Sequence, residues 1–148
     1  MSEDWKVYEN LEDFKALGID GVEELISTFE NAKTFGSLIE ISKGLKGKLE
    51  QISAKVLEAT DSQTFDSSIA KQLVPLVNQA MVIGKKYDVV VANPPYLSGK
   101  GMNPVLKTFA KNKFQESKGD LFAMFIQHGF RFAKTHGFNA MVTMQSWM

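Results

Sequence analysis

The ten residues Tyr87–Tyr96, YDVVVANPPY, decide the fold class of this chain. They begin with the β-branched run Tyr87–Ala92, which is typical of a strand buried in a parallel sheet. Pro94 and Pro95 end that strand at once, because proline donates no backbone hydrogen bond. The sequence therefore predicts a buried strand over residues 87–92 and a loop directly after it.

The residues beyond this loop predict a helix and a second strand. Residues 120–134 carry apolar side chains at helical spacing behind Asp120, a good N-cap residue, and Gly137 suits the left-handed position after a helix. Residues 138–144 then form another apolar strand pattern. The order strand, loop, helix, strand predicts an α/β protein with a right-handed βαβ unit, whose functional loop lies at the carboxyl end of the first strand.

Residues 1–80 predict a helical segment that precedes the βαβ unit of residues 81–148. Apolar spacing predicts helices over 22–36, with Asp20 and Glu23 as a capping pair, over 45–56 and over 69–80. Pro75 is expected to kink the third helix or to delay its start. We find no catalytic constellation in this segment and predict a packing role for it.

Composition excludes several classes of protein. The chain has 148 residues and no cysteine, which excludes a disulfide scaffold and a thiol nucleophile. His128 and His136 are the two histidines, so no metal site is expected, and both are predicted to be structural. The longest apolar run has six residues, whereas a membrane span needs about 20, and the acidic start does not resemble a signal peptide. We therefore expect a cytoplasmic protein without a membrane segment.

The balanced net charge hides a division along the chain. Residues 1–80 contain eight basic and fourteen acidic side chains, a net charge of −6, and residues 81–148 contain nine basic and three acidic side chains, a net charge of +6. The basic half would attract an anionic ligand, or the two halves would simply attract each other.

The loop after the first strand carries the candidate chemistry. Pro94 restricts Asn93 to an extended conformation, and Pro95 restricts Pro94 in the same way. The Asn93 side-chain oxygen and the Pro94 carbonyl are then two fixed acceptors, which suit an amino group. Tyr96 offers a ring on which a planar base or amide can stack. The alternative is a diproline turn that only ends the strand.

Three stretches carry a resemblance to a known family. They are residues 87–96 (YDVVVANPPY), 118–125 (KGDLFAMF) and 139–148 (NAMVTMQSWM). Together they resemble the adenine-specific, S-adenosylmethionine-dependent DNA methyltransferases, above all the PglX enzymes of BREX phage-defence systems and the type IIG-like restriction-modification methylases. The resemblance implies a partial Rossmann-like methyltransferase fold and methyl transfer to adenine N6.

The resemblance also implies roles for single residues. The target adenine of double-stranded DNA would be flipped out of the duplex. Asn93, Pro94, Pro95 and Tyr96 would form the catalytic motif that receives it. Asp120 and Phe122 match a family segment near the cofactor, although Asp120 is equally explained as a helix N-cap.

Lysines that follow the motif are candidates for phosphate contacts. They are Lys100, Lys107 and Lys111, with Lys113 and Lys118 behind them. A solvated lysine-rich loop is the equal alternative. Gly99-Lys100-Gly101 lacks the third glycine and the helix of a dinucleotide site, so we predict no phosphate cradle there.

The chain departs from the family pattern in residues 1–80. Neither the glycine-rich turn that holds the methionine part of the cofactor nor the acidic residue for its ribose is visible there. We therefore expect a fragment that is inactive by itself and that self-associates or exchanges strands, because a two-stranded sheet leaves apolar faces uncovered. Two alternatives remain open: a fragment of a protein-glutamine or RNA methyltransferase, and a non-catalytic binding or scaffolding module.

Overall fold

The computed structural model describes residues 11–62 and 65–145, and of residue 65 it describes the backbone. It contains both helices and strands, and the chain divides into two compact units. The first unit is Met1–Ala32 with Ile39–Gly84, and the second is Lys33–Leu38 with Lys85–Met148. The last three residues of the stretch 139–148 quoted above lie outside the described residues.

The first unit is built from helices. They are α1 (Leu11–Ala16), α2 (Val22–Thr28), α4 (Lys43–Thr60) and α5 (Phe65–Ile83), while α3 (Ala32–Phe35) and a 3₁₀ turn (Gly36–Leu38) lie on the segment that leaves this unit. The predictions for α4 and α5 are confirmed. Ser42 caps α4, since its side chain accepts a hydrogen bond from the Leu45 amide at 3.0 Å. Pro75 lies inside α5 and does not delay its start.

The prediction of one helix over residues 22–36 is wrong. Helix α2 ends at Thr28. The reason is that its own residues pack in the core of the first unit, whereas residues soon after it pack in the core of the second. Leu25 and Ile26 are buried in the first unit, whereas residues 33–38 belong to the second. Asp20 is not the cap either, since Gly21 holds the N-cap position with a φ of 90°. The Asp20 carboxylate instead forms an ion pair with Lys48 at 2.8 Å.

Residues 85–145 of the second unit contain two parallel strands and two helices. The elements are β1 (Tyr87–Ala92), α6 (Pro104–Lys113), α7 (Leu121–Phe132) and β2 (Ala133–Met141). Strand β1 has the predicted bounds, and β1 pairs with β2 in parallel register, with Val89 opposite Phe138 and Val91 opposite Ala140. The predicted helix and the parallel pairing are confirmed.

Strand β2 begins five residues earlier than predicted, and Gly137 has a different role. The pairing is irregular between Tyr87 and Val89, where β2 contains extra residues. His136, not Gly137, has a left-handed φ, of 66°. A Cβ atom on Gly137 would lie 3.0 Å from the Asp88 carbonyl oxygen, so a side chain here would crowd the close approach of the two strands.

The sheet is covered on one face. Helix α7 packs against both strands, with the side-chain amide of Asn139 donating to the Ile126 carbonyl at 3.2 Å. Val91 and Phe138, which point the other way, are each 73% exposed. The prediction of a fully buried β1 is therefore wrong for the described residues, because two strands and one helical layer cover a single face.

An apolar cluster holds α6 and α7 together in the second unit. Its buried members are Leu38, Met102, Leu106, Ala110, Phe114, Leu121 and Met124. Phe35 stacks on Phe109 at a centroid distance of 4.0 Å, which attaches the 33–38 segment to α6. In the part of the chain that the structure describes, no helix is both long and apolar enough to cross a bilayer.

Replacing Gly129 by alanine is expected to destabilise the second unit by about 1 to 3 kcal/mol. Gly129 lies on α7, where a Cβ atom would come within 2.5 Å of Oδ1 of Asn139, whose side chain is held in place by its hydrogen bond to the Ile126 carbonyl. This loss is opposite in sign to the usual gain from Gly to Ala in a helix. Urea unfolding measures it, and Gly119→Ala is the control because a Cβ there meets nothing within 4 Å. Equal stability of both variants would contradict the close packing of α7 on β2.

Candidate active site

The candidate site is the loop that leaves the carboxyl end of β1. Pro94 is buried, whereas Asn93, Pro95 and Tyr96 are exposed. The buried proline anchors the loop, and the two prolines restrict the backbone on either side of it. The Asn93 and Tyr96 side chains are thus presented to solvent from a backbone with few accessible conformations.

Backbone hydrogen bonds fix both ends of this loop. At its start, the Val142 amide donates to the Ala92 carbonyl at 3.1 Å. At its end, the Leu121 amide donates to the Leu97 carbonyl at 2.9 Å, and the Gly99 amide donates to the Gly119 carbonyl at 2.7 Å. The loop is therefore attached to the end of β2 and to the start of α7.

Sequence reasoning missed this attachment between the loop and α7. A Cβ atom on Gly99 would lie 3.3 Å from the Gly119 carbonyl oxygen, so a side chain would crowd the approach of the two segments. The glycines of Gly99-Lys100-Gly101 were the available signal. Gly99 is explained by close backbone packing and Gly101 by the Leu97 side chain, so no phosphate cradle is needed to explain them.

Two of the predicted site residues form an aromatic pair. The rings of Tyr96 and Phe122 meet edge to face, with centroids 6.2 Å apart and an interplanar angle of 78°. Phe122 is 5% exposed on the first turn of α7, while Tyr96 is 49% exposed. The buried ring thus supports the exposed one.

Asp120 lies beside the same loop. It pairs with Ser98 in an isolated antiparallel bridge, and it occupies the N-cap position of α7. Its carboxylate makes no capping hydrogen bond, so the N-cap explanation does not account for the side chain. A half-buried carboxylate can accept hydrogen bonds from hydroxyl or amino groups.

The predicted lysines lie on exposed positions beyond the loop. Lys100 is in the turn before α6, and Lys107 and Lys111 are four residues apart on that helix. Leu106 and Ala110 on α6 are buried in the apolar cluster. Within the described residues none of these three lysines forms an ion pair, so their charges are available to an anion.

The two histidines lie away from the loop. His128 is 3% exposed on α7, and its ring meets those of Phe114 and Phe132 edge to face, at 6.0 and 4.5 Å. Burial lowers the pKa of His128 to about 4, while an interaction with the Ser37 backbone acts in the opposite direction. His136 is exposed on β2. His128 is therefore a neutral core residue at neutral pH.

Most of the chain is similar to known proteins. Residues 8–148 match the family described as Eco57I restriction-modification methylase. An adenine-specific methyltransferase, BrxX, of Escherichia coli O9:H4 (strain HS) is 48% identical over 127 residues, which cover 83% of this chain and 10% of BrxX. An adenine-specific methyltransferase, PglX, of Lacticaseibacillus casei (strain Zhang) is 24% identical over 149 residues, 97% of this chain and 12% of PglX. The chain thus spans about a tenth of the length of these relatives.

Proposed function

The chain belongs to the Eco57I restriction-modification methylase family, and from this premise we propose that it is a catalytic segment of a DNA adenine N6-methyltransferase. The observation that carries the proposal is the loop of Asn93–Tyr96, which leaves a parallel strand and is fixed at both ends by backbone hydrogen bonds. The names of two relatives, both adenine-specific methyltransferases, support the choice of base.

Asn93 and Pro94 recognise the amino group of the target adenine. A flipped adenine exposes its N6 amino group, whose two hydrogens can be accepted by the Asn93 side-chain oxygen and the Pro94 carbonyl. These acceptors draw the nitrogen lone pair away from conjugation with the ring, which makes the nitrogen a better nucleophile. Because the loop is fixed before the base arrives, positioning and electrostatics contribute to catalysis without a general base.

Tyr96 and the lysines bind the rest of the nucleotide. The exposed face of Tyr96 stacks on the flipped ring, an interaction that contributes about 1 to 3 kcal/mol for a nucleobase. Phosphates of the double-stranded DNA on either side of the flipped base are contacted by Lys100, Lys107 and Lys111. The exposure of all three lysines, and their lack of ion pairs within the described residues, favours nucleic acid over a glutamine side chain as substrate.

S-adenosylmethionine supplies the electrophilic methyl group when it is bound. Asp120 can accept hydrogen bonds from hydroxyl groups of the cofactor, and Phe122 can contact an apolar part of it. Both lie beside the loop, as the bridge from Ser98 to Asp120 and the ring contact of Phe122 require. The described residues therefore fit one part of the cofactor and do not enclose it.

The proposal extends to domain organisation. The second unit, Lys33–Leu38 with Lys85–Met148, is a partial Rossmann-like methyltransferase domain, in which β1, α7 and β2 are one βαβ unit. The acidic helical segment predicted over residues 1–80 supplies most of the first unit. The parallel pairing of β1 with β2 supports this assignment. A protein that methylates DNA in a phage-defence or restriction-modification system acts where that DNA is, so the proposed location is cytoplasmic.

An exchange experiment tests the proposed function. The segment of BrxX that matches this chain is replaced by the chain, and the chimera is offered radiolabelled S-adenosylmethionine with unmethylated DNA, RNA or a glutamine peptide. We expect label on adenine N6 of DNA. Label on RNA or peptide alone would overturn the DNA assignment, and no label on any substrate, from a folded chimera, would favour a binding or scaffolding module.

The open face of the sheet predicts self-association of the isolated chain. Val89, Val91, Phe138 and Val142 are each more than half exposed, and an apolar surface of this kind is typically covered by another surface. Light scattering is expected to show a dimer or larger species, and Val91→Lys combined with Phe138→Lys is expected to shift it toward the 16.5 kDa monomer. Val105→Lys, at an exposed valine on α6, is the control. A stable monomer of the unaltered chain would contradict self-association.

A further inference from the structure

We propose that Phe122 is the positioning residue for the stacking ring of Tyr96. This inference rests on the proposed function, because it assumes that Tyr96 receives the target base. It adds a second role for Phe122, which acts on the base through Tyr96 and does not itself touch it.

The position of Phe122 is fixed by the backbone before it. Leu121 donates its amide hydrogen to the Leu97 carbonyl, which places the start of α7 against the residue that follows Tyr96. Phe122 is the next residue and is 5% exposed, so its ring has little freedom. Tyr96 and Phe122 therefore emerge from two segments that hydrogen bonds hold side by side.

The contact between the rings leaves a face of Tyr96 for a ligand. At an interplanar angle of 78° the rings meet edge to face, an arrangement that aromatic quadrupoles favour. Tyr96 remains 49% exposed despite this contact. The tyrosine ring is thus held on one side and open on another.

Holding the ring in place lowers the entropic cost of base binding. A free surface tyrosine loses rotational freedom when a base stacks on it, whereas a ring already held by Phe122 has less freedom to lose. Tyr96 is the aromatic ring that Phe122 contacts within the described residues. Phe125, one turn later on α7, packs against the apolar cluster instead and provides a matched control.

A double-mutant cycle on the whole chain tests the role of Phe122. The probe is a single-stranded oligonucleotide that contains 2-aminopurine, whose fluorescence is quenched when it stacks on an aromatic ring. We expect Tyr96→Leu to weaken binding by roughly 5-fold to 150-fold. Phe122→Leu is expected to weaken it by about twofold to tenfold, and by nothing further when Tyr96 is already leucine. Phe125→Leu should leave binding unchanged.

A spectroscopic readout separates positioning from general packing. With isotopically labelled tyrosine, the Tyr96 ring resonances are expected to shift in Phe122→Leu and to stay in place in Phe125→Leu, in the absence of any ligand. Phe122→Met, which retains most of the buried volume, replaces Phe122→Leu if the latter does not fold.

The outcomes distinguish the inference from the function on which it rests. If Tyr96→Leu weakens binding while Phe122→Leu does not, or if the two effects add, the positioning role is overturned and the function of Tyr96 stands. If the unaltered chain does not bind the probe, or if Tyr96→Leu has no effect, the proposed function of Tyr96 is contradicted and the role of Phe122 is overturned with it.

Discussion

Replacing Asn93 by alanine is expected to reduce methyl transfer to adenine by on the order of 10² to 10³-fold, the range seen when one fixed polar group at a reacting centre is removed. The exposed amide of Asn93 follows β1 directly, and its oxygen is one of the two acceptors assigned to the amino group. In the alanine variant the Pro94 carbonyl remains as the other acceptor. The rate is measured as radiolabel transferred to DNA by the BrxX chimera with and without the substitution.

Asn93→Ala is expected to lower the methyl-transfer rate constant more than the DNA affinity, which separates a catalytic role from a role in DNA binding. Because Tyr96 still stacks on the base, DNA affinity should fall much less than the rate constant. Asn93→Asp, which retains an acceptor oxygen at the same position, is expected to keep more activity than Asn93→Ala. Asn112→Ala makes the same chemical change on the exposed surface of α6 and is the control. Full activity of Asn93→Ala would refute the assignment of the loop as the catalytic centre.

Local patterns predicted the elements that one segment of sequence determines. Strand β1 has its predicted bounds because the β-branched run and the two prolines define both of its ends. Helix α4 is equally local, with a serine cap and an apolar stripe. The loop of Asn93–Tyr96 belongs to this class, since its rigidity follows from its own two prolines.

The predictions failed where contacts between residues far apart in the sequence determine the structure. Helix α2 ends early because residues 33–38 pack in another unit, and β2 starts early because it pairs with β1 through an irregular region. The support of Tyr96 by Phe122 was also not predicted, because it depends on a hydrogen bond from Leu121 to Leu97, 24 positions apart. No periodicity in the sequence reports such a contact.

The second unit is expected to lose up to about 3 kcal/mol of stability between pH 6.5 and pH 4, because of His128. Burial lowers the pKa of His128 to about 4 in the folded chain, whereas an unfolded histidine titrates near 6.5. The unfolded state therefore binds a proton first as the pH falls. The stabilisation is fully present above pH 6.5, declines as the pH falls below it, and is gone once the folded form is protonated near pH 4.

Urea unfolding at a series of pH values measures this loss, and two histidine variants assign it. His128→Phe keeps an aromatic ring between Phe114 and Phe132 and removes the titrating group, so its stability should change much less over the same pH range. His136→Asn is the control, because His136 is exposed and asparagine tolerates the left-handed φ found there. Asp88, held by Lys134 at 2.9 Å, has a lowered pKa and affects stability at more acidic pH, which separates it from His128. An unchanged pH dependence in His128→Phe would mean that the buried ring is not the group that responds to acid.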